Sequence, residues 1–394
     1  MRIAGIICEC NPPHAGHFYL LEQARRNGAD VVLCLMSGCF VQRGEAAVLD
    51  AYARAEILMG AGADAVFELP MPYSASSAEY FGGAGVDILK RLGITELWFG
   101  SESGELTQLM PLSELAETEA FVARYRAHCA SGMGTAQAYF QTLTELGGED
   151  AKLSPNDILA LSYLRAIKRT GGDIRPVAIK RMGSGYHERT VQSEAFPSAT
   201  ALRLLWTQKG AEAVLEYLPQ KTAEILQRET VAGRAPARLE CAERMILGSL
   251  RLADAKALSS LAGLGGGLAS RLVKASRTAA NFEELMRLLA TKTYPDAALR
   301  RAILYALLGV TEEDLRAPAA YVRLLAANAR GCEQLAAVRR TGEICVVTRM
   351  GDLPSLECAE RQLAIEEKAL LLYTMMLPAV AGEKRLLCHP PLIF

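Results

Sequence analysis

Over its first hundred residues the chain switches repeatedly between two hydrophobic periods, and no other feature constrains its fold as much. Arg2–Cys8 (RIAGIIC), Asp30–Met36 (DVVLCLM), Ala63–Leu69 (ADAVFEL) and Thr95–Phe99 (TELWF) are short, nearly unbroken apolar runs. Between them lie stretches with apolar residues at three- and four-residue spacing. His14–Asn27 carries Phe18, Leu21 and Ala24 on one stripe, Ala47–Gly60 carries Leu49, Ala53 and Ile57, and Ser76–Leu92 is similar. A strand covered on both faces reads as a continuous apolar run, whereas a helix lying on a sheet needs only one apolar stripe. This alternation predicts an α/β fold with a doubly wound parallel sheet. Ligands of such a sheet bind beyond the carboxyl ends of its strands, so function is sought in the segments that follow each apolar run.

Beyond residue 100 the pattern changes. Residues 103–170 read as mostly helical, interrupted at Gly147–Pro155, and Ile174–Ile179 (IRPVAI) reads as one further strand. From Ser198 onward Leu-, Ala- and Arg-rich helical segments dominate, broken at Gly233–Pro236, Gly263–Gly267, Pro295 and Pro318. Glu343–Arg349 (EICVVTR) is the best candidate for a late strand. A length of 394 residues suits two or three domains. With 51% hydrophobic and 22% charged residues the chain is neither disordered nor fibrous. The formal charge of −1 excludes a globally basic coat for nucleic acid, but not a local basic face. Residues 1–200 hold 17 Lys+Arg against 23 Asp+Glu, and residues 201–394 hold 26 against 21. That difference hints at an anionic partner for the second half, although compositional scatter also produces it.

There are ten cysteines, mostly in apolar surroundings, with no CxxC pair and no apolar signal core before them. Reduced thiols in a cytoplasmic protein are expected. Cys8-x-Cys10 with His14 and His17 has some likeness to a metal site, but a buried strand explains Cys8 as well, and no resident metal is expected. No apolar run approaches the ~20 residues that span a bilayer, so no membrane partner is expected.

The most informative segment is Glu9-Cys10-Asn11-Pro12-Pro13-His14-Ala15-Gly16-His17, directly after the first apolar run. Gly16 lets a ligand approach the backbone, and the helix N-terminus that follows offers free N–H groups to an anion. His14 and His17, three apart, share one face of that first turn. Two imidazoles there suit a phosphate whose charge grows during reaction. A capped helix bearing a surface His pair is the plainer alternative. This His-x-Gly-His segment resembles the nucleotidyltransferase superfamily marked by that motif. A second motif of the superfamily, Ser-x-Thr-x-x-Arg, is matched by Ser198-Ala199-Thr200-Ala201-Leu202-Arg203. Its hydroxyls can cap a helix and hold phosphate oxygens, and its Arg can neutralise leaving pyrophosphate.

Further segments narrow the likeness. Ser37–Glu45 (SGCFVQRGE), Phe67–Pro70, Phe99–Glu102, Ser154–Leu159 and Lys180–His187, with weaker matches at Lys292–Tyr294, Arg300-Arg301 and Tyr321–Arg323, make the chain similar to the tRNA(Met) cytidine acetate ligase family over nearly its whole length. The resemblance implies a Rossmann-like ATP-binding domain over residues 1–195 and a mainly α-helical, net-basic, tRNA-binding domain over 196–394. It implies that acetate attacks ATP to give acetyl-adenylate and pyrophosphate. The acetyl group then passes to N4 of the wobble cytidine of elongator tRNA(Met), with ATP and Mg²⁺ required and no part for DNA. The ATP pocket it implies comprises Ile7, Cys8, Glu9, Cys10, Asn11, Pro12, Pro13, His14, Ala15, Gly16, His17, Phe18, Tyr19 and Leu20, together with Gly100, Asn156, Arg181, Ser198 and Thr200. His14, His17 and Arg203 are the implied catalytic residues, and Ser37–Glu45 is expected to close over the substrate. Arg271, Lys292, Arg300, Arg301 and Arg323 are candidates for tRNA phosphate contacts. The chain departs from the family at Cys10 and Pro13, where an aromatic is usual, at Cys39 and Asp157, and at Gly265–Gly267. Two other readings stand beside this one: a nucleotidyltransferase acting on a small cofactor precursor, and a non-catalytic module that binds ATP or RNA. The long, net-basic second half argues against the former. No feature of the sequence fixes an oligomeric state.

Overall fold

A computed structural model of the chain describes residues 1–148, 153–181, 197–291, 294–379 and 384–394. Five parallel strands form its centre: β1 (Ile3–Cys8), β2 (Val31–Ser37), β3 (Ala65–Leu69), β4 (Glu96–Ser101) and β5 (Arg175–Lys180). Every residue of β1, β2 and β3 is buried, as their unbroken apolar runs require. The helices between them are α1 (Ala15–Arg26), α2 (Ala51–Gly60) and α3 (Ala78–Arg91). Between β4 and β5 lie α4 (Leu106–Leu115), α5 (Glu119–Ala130), α6 (Thr135–Gly147) and α7 (Pro155–Arg169), and α8 (Ala199–Lys209) follows. The strand order is β5-β4-β1-β2-β3, so the chain winds one way from β1 and then the other, and the crevice between β1 and β4 is the switch point. Ala4, Ile6, Val32 and Cys34 pack under α1 and α2 on one face, and Ile3, Ile7, Leu33 and Leu35 pack under α3 and α7 on the other.

Two local boundaries have clear causes. The stripe that begins at Ala47 does not start a helix there, because the Asp50 carboxylate accepts the Ala53 N–H at 2.8 Å and caps α2. Val48, one turn earlier, instead donates its N–H to Asn11 Oδ1 at 2.8 Å. Ser154 caps α7, with Pro155 at the first helical position, where its missing N–H costs nothing.

The second half supplies more than helices. Residues Tyr321–Ala327 form β6, which is fully buried and runs antiparallel to β3, while β7 (Cys345–Val347) and β8 (Leu392–Ile393) pair parallel with β6. β7 falls within the stretch expected to be a strand; β6 was not expected. The sheet therefore draws on both halves of the chain, and a cut at residue 195, itself outside the described residues, does not bound it. Periodicity alone cannot separate a seven-residue apolar run such as YVRLLAA from a buried helix. Its Leu, Ala and Arg favour helix, and pairing with β3 overrides that preference. Around the sheet's far edge pack the helices of the second half, among them Leu268–Thr278, Asp296–Leu308 and Glu357–Thr374. Among the described residues no helix is long and apolar enough to cross a membrane.

Candidate active site

The ends of β1, β4 and β5 open into a cavity of about 220 Å³ at the switch point. The N-termini of α1, α7 and α8 all reach it: His14, Gly16 and His17 from the first, Pro155 and Asn156 from the second, Ser198 to Thr200 from the third. Each brings the positive end of a helix dipole, so three independent elements favour one anion. The opposite wall is apolar, built from Ile7, Phe81, Phe99, Leu159 and Tyr163. A ligand with one polyanionic end and one flat apolar end matches both walls.

The two histidines are themselves the cap of α1. His14 Nδ1 accepts the Gly16 N–H at 3.1 Å, and His17 Nδ1 accepts the His14 N–H at 3.2 Å. Their rings lie 4.1 Å apart. A nitrogen that accepts an N–H carries no proton, so in each neutral ring the proton sits on Nε2. Burial pushes the His14 imidazole well below its usual range, reinforced by His17, Arg181 and Arg203; burial also lowers His17, to about 4. Both rings are therefore neutral Nε2–H donors at physiological pH. Gly16 is required for this cap, since a Cβ there would lie 2.9 Å from His14 Cε1.

Among the residues expected to form the site, Ile7 to Asn11, His14, Gly16, His17, Tyr19, Leu20, Gly100, Asn156, Arg181, Ser198, Thr200 and Arg203 line the cavity. Pro12, Pro13, Ala15 and Phe18 do not line it; Phe18 packs beside Leu202 and Trp206 of α8. Asn156 is not a helix cap, for Ser154 has that place; its amide donates to the Glu102 carboxylate, which also accepts from Ser154 Oγ and lies 3.9 Å from Arg181. The Ser198 hydroxyl accepts the Ala201 N–H at 3.2 Å. Arg203 donates to the Asn11 carbonyl at 2.8 Å and to Glu45 at 2.9 Å.

The Ser37–Glu45 segment forms one side of the cavity and is bolted to the second half. Glu45 pairs with Arg300 at 3.2 Å, and Arg301 donates to the Gln42 carbonyl at 3.0 Å. Arg323 is buried on β6 and pairs with Glu68 at 2.7 Å and Glu366 at 3.8 Å. These three arginines, expected at tRNA phosphates, each bond carboxylates or carbonyls of the protein itself, because each lies where two elements meet. Arg271 has a buried Nη2, and Lys292 lies outside the described residues.

Arg54 escaped the sequence reading. Fully buried, it donates to the carbonyls of Glu9 (2.8 Å), Ser37 (2.8 Å), Leu49 (3.0 Å) and Gly38, tying the ends of β1 and β2 together beneath the cavity. In the sequence it is an unremarked helical Arg; only the fold brings those carbonyls to it. Among the described residues no group of three or more His, Cys, Asp or Glu could hold a metal ion, and the cysteines Cys8, Cys10 and Cys34 are buried free thiols.

Residues 1–386 match the sequence profile of the HIGH Nucleotidyl Transferase family. The chain is 33% identical to a tRNA(Met) cytidine acetate ligase of Syntrophomonas wolfei, covering 98% of this chain and 97% of that protein. It is 30% identical to the same-named protein of Acetivibrio thermocellus, covering 95% of each. Its fold superposes on crystal structures of Thermotoga maritima TmcAL, apo and bound with alpha-thio ATP, with TM-scores of 0.93 and 0.90, 29% identity and complete coverage of both chains. A His-x-Gly-His helix cap at the switch point, within a fold shared from end to end, accounts for these likenesses: the chain belongs to the HIGH nucleotidyl transferases and, among them, to the tRNA(Met) cytidine acetate ligase family.

Proposed function

We propose that this chain is an ATP-dependent acetate ligase that forms N4-acetylcytidine at the wobble position of elongator tRNA(Met). The observation that carries the reading is the pair of neutral imidazoles, each with Nδ1 occupied, at a cavity where three helix N-termini meet. The triphosphate lies against those N-termini and the adenine against the apolar wall. Attack of an acetate oxygen on the α-phosphorus adds charge to the phosphoryl oxygens. The Nε2–H groups of His14 and His17 meet that charge without carrying a charge of their own, so they bind the transition state more strongly than the ground state. Acetate is already ionised at pH 7 and needs no base. The P–O bond to pyrophosphate breaks, and Arg203 and the α8 N-terminus, through Ser198 and Thr200, stabilise the leaving group. The exocyclic amine of cytidine then attacks the acetyl carbon, and AMP leaves.

The described residues include no cluster of protein ligands for a metal, so Mg²⁺ would enter with the triphosphate and supply charge neutralisation there; no step above is routed through it. Arg244, Lys274 and Arg277 are exposed cations of the second half and candidates for tRNA phosphates. A tRNA substrate supports the cytoplasm as the proposed compartment. The test is incubation with ATP, labelled acetate and tRNA(Met): label should appear on the wobble cytidine. His17→Ala should slow acetyl-adenylate formation about 10²–10³-fold, and wild-type adenylation in that variant would refute the assignment.

A further inference from the structure

One edge of the cavity is not used by any step above. Gln42 sits in a turn closed by Gly44 N–H to the Val41 carbonyl at 2.8 Å. Its own N–H donates to Glu9 Oε1 at 2.8 Å, and its carbonyl accepts from Arg301 at 3.0 Å. The backbone is thus pinned on both sides, yet the side-chain Nε2 is shut from solvent with no partner among the described residues. Leaving a buried amide donor unpaired is costly, so a ligand that pairs it gains affinity. Both Gln42 and Glu9 line the cavity, and Glu9 keeps Oε2 as a second acceptor.

The charges around this edge decide what it takes. Glu9 has Glu45 as a like-charged neighbour, with Arg43 and Arg203 opposing, and burial pushes the Glu9 carboxyl up. An anion is better served at the helix N-termini than beside two carboxylates. A neutral group that offers an N–H donor next to an acceptor fits instead. Cytosine has that pattern in its N4 amine and N3. Uracil reverses it, setting O4 against a carboxylate and N3–H against an amide N–H.

We propose that Gln42 and Glu9 read the Watson–Crick edge of the target cytosine, Gln42 Nε2–H donating to N3 and Glu9 Oε2 accepting an N4 hydrogen, and that Glu9 takes the proton released on acylation. This rests on the ligase reading and adds its base specificity and its general base. In the step, the N4–C bond to the acetyl carbon forms and the C–O bond to the adenylate phosphate breaks. AMP departs with that electron pair, and the N4 proton moves to Glu9.

Full-length Gln42→Leu and Glu9→Gln are each assayed for acetate-dependent exchange of labelled pyrophosphate into ATP, without RNA, and for transfer of labelled acetyl to tRNA(Met) transcript. Inhibition by transcripts carrying cytidine or uridine at the wobble position is measured alongside. In Glu9→Gln transfer should fall at least about 100-fold further than exchange, since general bases contribute about 10²–10⁴, and in Gln42→Leu about tenfold further, for one lost hydrogen bond. Gln42→Leu should also lose the preference for the cytidine transcript, about tenfold or more in the unaltered chain. Parallel loss of both half-reactions, or a selective rise in the acetate KM of exchange, would overturn the proposal and assign the pair to nucleotide or acetate. If Gln42→Leu does not fold, the same-sized Gln42→Glu carries the same expectations. Failure of the unaltered chain to exchange pyrophosphate with acetate would instead overturn the ligase reading beneath it.

Discussion

His14 and His17 cap the helix they begin, so one hydrogen-bond arrangement serves both the fold and, on the proposed function, the reaction. By accepting at Nδ1 they satisfy two N–H groups at the start of α1, and the same bonds leave Nε2 as the protonated nitrogen. This predicts a particular pH response. His17 is lowered to about 4, against about 6.5 in an unfolded chain. The kcat/KM of pyrophosphate exchange should therefore be flat from about pH 6 to 8, with its acid limb near 4 and no inflection near 6.5. The same shift acts on stability. Below about 6.5 the unfolded chain takes up protons that the folded one refuses, so stability is undiminished above that value and is lost as pH falls from there through 4. Thermal melts between pH 7 and 4 should show a shallower decline when both residues are changed to Ala. Much at this scale was legible: the two His, Gly16 and Ser198 announce helix starts by type and spacing, and the structure brings them to one cavity. What Asn156, Arg203 and Arg54 bond to was not, because each partner lies far off in the chain.

At the scale of elements, the first hundred residues declare themselves because a strand buried on both faces and a helix buried on one have different periods. The boundaries follow capping chemistry rather than hydrophobicity, which is why α2 starts at Ala51 and not at Ala47. The segment Ser37–Glu45 has no period at all. Its shape comes from its turn and from the helix Asp296–Leu308 against which it rests. Gly44 is the tightest point of that contact: its φ is +70° and a Cβ would lie 2.8 Å from the Arg301 main-chain nitrogen. Gly44→Ala should destabilise the protein by about 1–3 kcal/mol through backbone strain alone, visible as a lower melting temperature. Because Gln42 and Glu45 border the cavity, the activity of that variant should fall as well.

For the molecule as a whole, the sheet makes one cooperative unit of two halves that differ in composition. Arg323 on β6 joins Glu68 on β3 and Glu366 on the helix Glu357–Thr374, and Tyr321 donates to the same Glu366 at 3.0 Å. Burial pushes the Glu366 carboxyl up, to about 7, with Arg323 opposing. Arg323→Met would leave two buried carboxylates without their cation and should cost about 3–5 kcal/mol in denaturant unfolding. Interaction with tRNA is also a property of this scale. On the proposed function, binding to the net-basic half should weaken steeply as salt rises, with log affinity falling linearly against log salt. A flat salt response measured by filter binding would remove that half from the interface.

By itself the sequence determined the five parallel strands, the helix starts that face their carboxyl ends, and the two motifs that line the cavity, because each is encoded in residues close together in the chain. Only the tertiary structure decided that YVRLLAA is a strand, that Arg300, Arg301 and Arg323 bond groups of the protein itself, and that Arg54 underpins the site. Those outcomes depend on which distant carbonyl, carboxylate or strand edge arrives beside a residue, and the spacing of neighbours along the chain carries no record of that.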